Sequence, residues 1–149
     1  MPGRRYSAAG TDTNTAGTTQ VGILATAAVR PQIMDLVISS VAAVNDYSAE
    51  YFIQRVTTAG TSTALTPAAL DSGDPAATAV CGVNHTAEPT YTANTVLLRV
   101  AVNLRATFRW VAQPEEEFKA PATASNGFGL LANAVTTAFA ASYTIIFAE

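Results

Sequence analysis

His85 is the only histidine of the chain and Cys81 the only cysteine, so nucleophilic or general-base chemistry of the common kinds has to be built around the one segment that holds both. Acyl transfer needs a nucleophile, a base that takes its proton and a group that orients the base. Cys81 precedes His85 by four residues, with Asp71 and Glu88 nearby in sequence. That spacing matches no nucleophile motif, and such triads are assembled across a fold rather than within a few residues. The expected state is a small buried thiol and a loop imidazole hydrogen-bonded to backbone. For a metal, Asp71, Asp74, His85 and Glu88 offer ligands of mixed hardness at irregular spacing, and Asp71-Ser72-Gly73-Asp74 lacks the glutamate that closes a calcium loop. A turn whose aspartates accept backbone N–H bonds is the simpler expectation. Gly127-Phe128-Gly129 is followed by no lysine and reads as the start of a strand, with glycines for close backbone approach, rather than as a phosphate cradle. No catalytic residue, no metal and no cofactor are therefore expected.

The remaining chemistry is that of contact. Glu115-Glu116-Glu117 follows Pro114 and precedes Phe118-Lys119, which makes it either a solvated turn or an acidic contact for a partner's arginines. Arg4 and Arg5 at the other end of the chain are the complementary candidates on a neighbouring copy, and Tyr6 beside them is a further contact candidate. Trp110 is expected in the core; a carbohydrate-binding role would need it exposed. Asn84-His85-Thr86 satisfies the glycosylation triplet, but the N-terminus shows two arginines with no apolar stretch behind them and so no export signal.

Composition narrows the partners. The 149 residues make one domain, 49% apolar and only 13% charged, with a net charge of −3; the charged share is about half that of an ordinary soluble domain. A weakly charged exterior points to surface covered by something other than water. Beyond Arg4 and Arg5 there is no basic cluster, so nucleic acid is not an expected partner. No apolar run is long enough to span a membrane as a helix. Ala and Thr supply 30 and 21 residues, a bias that alone does not decide the fold class.

The elements follow from periodicity and punctuation. Residues 1–19, rich in Thr, Gly and Ala, have almost nothing to bury and predict an extended N-terminal arm that is ordered only when something pairs with it. Residues 20–149 predict a single sandwich domain, with strands over 21–27, 32–39, 50–58, 95–102, 106–112 and 135–147. In the last, Phe139, Ala141, Tyr143, Ile145 and Phe147 fall on one face at a period of two. Val96, Leu98, Val100 and Val102 share a face in the fourth, and Asn103-Leu104-Arg105 predicts a hairpin turn into Phe108 and Trp110, with Arg99, Thr107 and Arg109 outward. Thr66 and Pro67 predict one helical turn over 66–70, and 65–91 is otherwise expected to be mostly loop, of a length that suits a binding or subunit-contact role. The sum is an all-β antiparallel sandwich, jelly-roll-like, with a barrel as the alternative.

Several segments taken together resemble a known family. They are Gly3-Arg4-Arg5-Tyr6-Ser7, Ala28-Val29-Arg30-Pro31 with Asp35-Leu36-Val37, Gln54-Arg55-Val56-Thr57 leading to Ala59-Gly60-Thr61-Ser62-Thr63, and Thr66-Pro67-Ala68-Ala69-Leu70-Asp71 with Gly73-Asp74-Pro75. Asn84-His85-Thr86-Ala87-Glu88-Pro89-Thr90-Tyr91, Arg105-Ala106-Thr107-Phe108-Arg109-Trp110 and Ala122-Thr123-Ala124-Ser125-Asn126-Gly127-Phe128-Gly129 continue the resemblance over nearly the whole chain. The pattern is similar to that of small jelly-roll virion proteins encoded among the structural genes of tailed phages, the capsid decoration or cement proteins. The resemblance implies a non-enzymatic structural protein, made in the host cytoplasm and carried on the outer capsid surface of the virion. It implies the major capsid protein as partner and a homo-oligomer, a trimer, at threefold and quasi-threefold positions of the shell. It carries over no catalytic or ligand residue, and Glu115-Glu116-Glu117 departs from its pattern. A tail, neck or head-fibre adaptor with the same sandwich is the alternative, followed by a carbohydrate-binding module.

Overall fold

The structure is a computed structural model that describes residues 3–41 and 46–149. It contains twelve strands and, among the described residues, no helix. In chain order they are β1 (Arg5–Asn14), β2 (Thr18–Leu24), β3 (Gln32–Ser40), β4 (Ser48–Thr58), β5 (Thr61–Leu65), β6 (Ala68–Ala69), β7 (Val80–Ala87), β8 (Thr90–Asn103), β9 (Phe108–Val111), β10 (Phe118–Lys119), β11 (Gly127–Val135) and β12 (Phe139–Ala148). Two antiparallel sheets pack face to face. Sheet A runs β10-β3-β12-β1-β6, with β9 pairing the same edge of β3 as β10, and sheet B runs β5-β7-β2-β11-β4-β8. With β5, β6 and β7 set aside as an insertion and β9 and β10 counted as one strand, eight strands remain. Sheet A then reads first-eighth-third-sixth and sheet B second-seventh-fourth-fifth.

Alternation explains why the strands sit where they do. Tyr6, Ala8, Ile33, Leu36, Ile38, Tyr143, Ile145 and Phe147 of sheet A meet Val21, Ile23, Tyr51, Ile53, Phe128 and Leu130 of sheet B in one core. Each large side chain so buried contributes about 1.5–3 kcal/mol. The period of two expected over 139–147 is present, with Phe139, Ala141, Tyr143, Ile145 and Phe147 buried and the residues between them less so.

Five expectations are corrected. The first concerns the arm: residues 5–14 are not an arm but β1, which pairs with β12 over ten residues and puts Tyr6 and Ala8 in the core; Met1 and Pro2 lie outside the described residues. Its buried side chains other than Tyr6 are small, so the strand is held by the register with β12 and by that one ring. Residues 66–70 form no helical turn, because Ala68 and Ala69 pair with Ser7 and Tyr6 as the edge strand β6. The stretch 65–91 is loop over about half its length, and the rest is strand, including β7 within sheet B. The stretch 135–147 is two strands, β11 ending at Val135 and β12 starting at Phe139. Lastly, β8 and β9 form no hairpin: β8 pairs with β4 in sheet B and β9 with β3 in sheet A. The turn between them crosses from one sheet to the other, anchored by buried Leu104, whose N–H donates to Tyr47 O at 3.1 Å.

Candidate functional site

Gly82, Gly22 and Gly129 are register partners on β7, β2 and β11, so three neighbouring strands present glycine in one row on the outer face of sheet B. Glycine inside a strand costs roughly 0.5–1 kcal/mol relative to alanine and marks a place where something comes close. What comes close is the chain itself. A methyl on Gly129 would lie 2.2 Å from the Tyr91 hydroxyl, one on Gly82 would lie 2.1 Å from Ser62 Oγ, and the His85 ring stands 3.5 Å from where a methyl on Gly22 would be. The end of β7 beyond its kink at Asn84 and the connection to β8, with the side chains of Ser62, His85 and Tyr91, thus cover this row as a flap.

Thr19 ties that flap down. Its N–H donates to Glu88 Oε2 at 2.9 Å, its hydroxyl bonds the same carboxylate and lies 2.7 Å from the Tyr91 hydroxyl, and its carbonyl lies 3.2 Å from His85 Nδ1. Burial raises the Tyr91 phenol above its ordinary value, which keeps it a neutral hydroxyl. Between flap and sheet a cleft of about 320 Å³ stays open. Gly22 and Leu24 of β2, Val80, Gly82 and His85 of β7, Val56 of β4, residues 59–62 and Pro89 line it.

Cys81 and His85 are not brought together. On a regular strand they would share a face, but Asn84 between them adopts φ 49°, a left-handed kink that turns the chain. Cys81 faces the core, where burial, with a smaller contribution from Glu149, pushes its thiol up to about 12. His85 faces the outer cleft and bonds backbone. At Asp71 and Asp74 the expected turn is present: Gly73 N–H donates to Asp71 Oδ1 at 2.9 Å and Asp74 N–H to Asp71 O at 3.0 Å. Among the described residues no group of three His, Cys, Asp or Glu side chains is placed to hold a metal, and no helix is long and apolar enough to cross a membrane.

The contact candidates divide. Arg4 and Arg5 are exposed and border a shallow depression with Leu70, Asp71 and Asp74. Tyr6 is withdrawn from any partner contact: it is 0% exposed, stacks on Phe147 with ring centroids 5.6 Å apart, and donates its hydroxyl to Pro75 O at 3.0 Å. Its place in the inward alternation Tyr6, Ala8, Gly10 was the signal for this. Glu115 and Glu116 are exposed on the turn from β9 to β10, while Glu117 is partly covered and lies 3.4 Å from Lys119 Nζ. Backbone N–H groups of Glu117 and Glu115, then Lys119, hold the Glu117 carboxyl below the usual range. Arg5 and Lys119 stand on one register row of sheet A, through Ala148 and Gln32. By strand spacing they are about 14 Å apart. Arg5 and the glutamate turn are therefore at the same end of the sheet but toward opposite edges.

Two arginines work inside the molecule in a way the sequence did not signal. Arg30 Nε donates to Ala120 O at 3.0 Å, and an Arg55 guanidinium N–H donates to Lys119 O at 2.9 Å while the group lies 5.6 Å from the centre of the Phe128 ring. Arg55, from sheet B, braces β10, and Arg30, from the connection into β3, braces the residue that follows it. Trp110 is half-buried and lies parallel to Phe118 with centroids 4.5 Å apart, its packing directed toward the core. Comparison with known proteins finds no matching family model, no matching curated protein and no matching solved structure.

Proposed function

We propose that this chain is a non-enzymatic structural protein of a phage virion, a capsid cement or decoration protein that binds the outer surface of the assembled head, as a trimer, and stabilises it. The reading starts from the resemblance of its segments to that family and is supported by the strand order, since first-eighth-third-sixth over second-seventh-fourth-fifth is the order of a jelly roll with an insertion between its fourth and fifth strands. Viral capsid and lectin domains are built on that fold, but a fold alone carries no function.

The observation that carries the proposal is the outer face of sheet A. Ser7, Ala9, Thr11 and Thr13 of β1, Ala140, Ser142, Thr144 and Ile146 of β12, and Val37 and Ser39 of β3 alternate with the core residues. None of them is charged, and the charges of that face, Arg5, Lys119 and the Asp35–Arg109 pair at 2.6 Å, flank this stretch. A face of uncharged and mostly small side chains suits close contact with another protein surface. Three strands of about ten residues cover roughly 450 Å² at normal strand spacing, well under the roughly 800 Å² per partner of a standard interface. One copy would bind weakly, and linked copies in a trimer would multiply the effect. Binding only to the assembled shell shifts the balance toward that shell.

Quantitative mass spectrometry of purified particles tests this. Several hundred copies per virion are expected; a dozen or fewer places the protein at the neck or tail instead, and none overturns the reading.

A further inference from the structure

We infer that the cleft over Gly22 binds a planar apolar ring carrying one O–H or N–H donor, supplied either by a phenol-like small molecule or by a tyrosine or tryptophan side chain of another protein. This site stands independently of the virion reading. Its chemistry follows from His85. The Thr19 carbonyl can only accept, so Nδ1 carries its hydrogen and donates at 3.2 Å. In the neutral ring Nε2 then keeps a lone pair, and among the described residues it has no hydrogen-bond partner. That atom lies beside Gly22, within the cleft that His85 helps to line. A ligand with one donor satisfies it.

The rest of the lining sets the body of the ligand. No charged residue lines the cleft, and Leu24, Val56, Val80 and Pro89 give it apolar sides, so a neutral, apolar group is favoured over an ion. At about 320 Å³ it is at the lower end of the roughly 300–1,000 Å³ of ligand pockets, room for one ring rather than an extended chain. No Phe, Tyr or Trp lines it, which leaves a sugar without a broad stacking surface, whereas the apolar sides given by Leu24, Val56, Val80 and Pro89 accept a flat ring. The shape is also held in advance: a methyl on Gly60 would lie 2.1 Å from Ala87 O, so the turn above the cleft is wedged against the β7–β8 connection, and Thr19 ties that connection to the sheet.

Titration of the isotope-labelled protein with p-cresol, toluene and N-acetyl-tyrosinamide, followed by amide and imidazole NMR signals, tests the site. Saturable shifts at Gly22, Gly82 and His85 are expected with p-cresol, and at least tenfold weaker binding with toluene, which has the ring without the donor. His85→Phe is expected to bring p-cresol down to the level of toluene. Val80→Trp, at a position 55% exposed at the mouth, is expected to abolish both while leaving the remaining spectrum in place. Binding of N-acetyl-tyrosinamide on a par with p-cresol supports a protein side chain as the occupant, and binding of p-cresol alone supports a small molecule. Absence of saturable shifts with both donor probes, equal affinity for toluene and p-cresol, or a p-cresol preference that survives His85→Phe overturns the inference.

Discussion

Truncating Tyr6 separates a core strand from a detachable arm. The ring is fully buried against Phe147 and its hydroxyl donates to Pro75 O at 3.0 Å. Removal of a buried aromatic side chain to alanine costs about 3–5 kcal/mol. The hydroxyl's share shows separately in Tyr6→Phe, which keeps the ring and loses one hydrogen bond, a change of about 0.5–1.5 kcal/mol. Native domains have only about 5–15 kcal/mol to lose, so Tyr6→Ala is expected to shift the urea midpoint far down and Tyr6→Phe slightly. Equilibrium urea unfolding followed by Trp110 fluorescence and by circular dichroism measures both. A loss below 1 kcal/mol for Tyr6→Ala, with an unchanged denaturant slope, would show that β1 is not part of the cooperative unit.

The Tyr143 hydroxyl is buried with no hydrogen-bond partner among the described residues, so Tyr143→Phe is expected to be neutral or stabilising by up to about 1 kcal/mol, and Tyr143→Ala to cost about 3–5 kcal/mol; urea titration of the two variants checks this. Cys81 has an ordinary value of 9.0 and sits at about 12 when folded, and Tyr143 is raised from 10.0 to about 12. Above pH 9 the unfolded chain has lost protons that the folded one keeps, so stability is full below pH 9 and falls as pH rises toward 12. Each group contributes up to about 1.4 kcal/mol per pH unit within its window. Urea midpoints at pH 8 and 10.5 are expected to separate more in the native sequence than in Cys81→Ala, and identical separations would contradict the burial of that thiol. Glu115→Gln with Glu116→Gln, at exposed turn positions, is expected to leave stability within about 0.5 kcal/mol; a larger loss in thermal unfolding would mean that the turn is part of the fold's own support.

Legibility in the sequence followed side-chain bulk. β12 is plain because large and small residues alternate from Phe139 to Phe147. β4 is readable from the β-branched end Val56-Thr57-Thr58, and β3 from its apolar run. β1 is obscure because its outward positions are Ser7, Ala9, Thr11 and Thr13 and its inward ones include Gly10 and Asp12, so a structural strand carries the composition of a loose arm. β11 hides its limits for a different reason: Phe128, Leu130 and Ala132 face the core while Gly127 and Gly129 lie buried under neighbouring segments, and a strand covered on both faces shows no alternation. Thr66-Pro67 has the composition of a helix cap, but pairing of Ala68 and Ala69 with β1 overrides it. The turn at Asn103-Leu104-Arg105 was visible as a turn, whereas its destination depends on Leu104 being buried between sheets, a tertiary fact. The cleft was the least legible feature, since it depends on the register that aligns Gly82, Gly22 and Gly129 and on the kink at Asn84 that points His85 outward. The contact candidates were half legible: exposure of Arg4, Arg5, Glu115 and Glu116 follows from charge, and burial of Tyr6 only from the strand.

The most direct test of the proposed role is sedimentation of the purified protein with mature phage heads that lack it, followed by calorimetry of the loaded heads. Saturable co-sedimentation with heads, none with isolated tails, and a higher melting temperature of the loaded shell are the expected result. Protein that stays in the supernatant at every concentration, or that leaves the melting of the shell unchanged after binding, would contradict it.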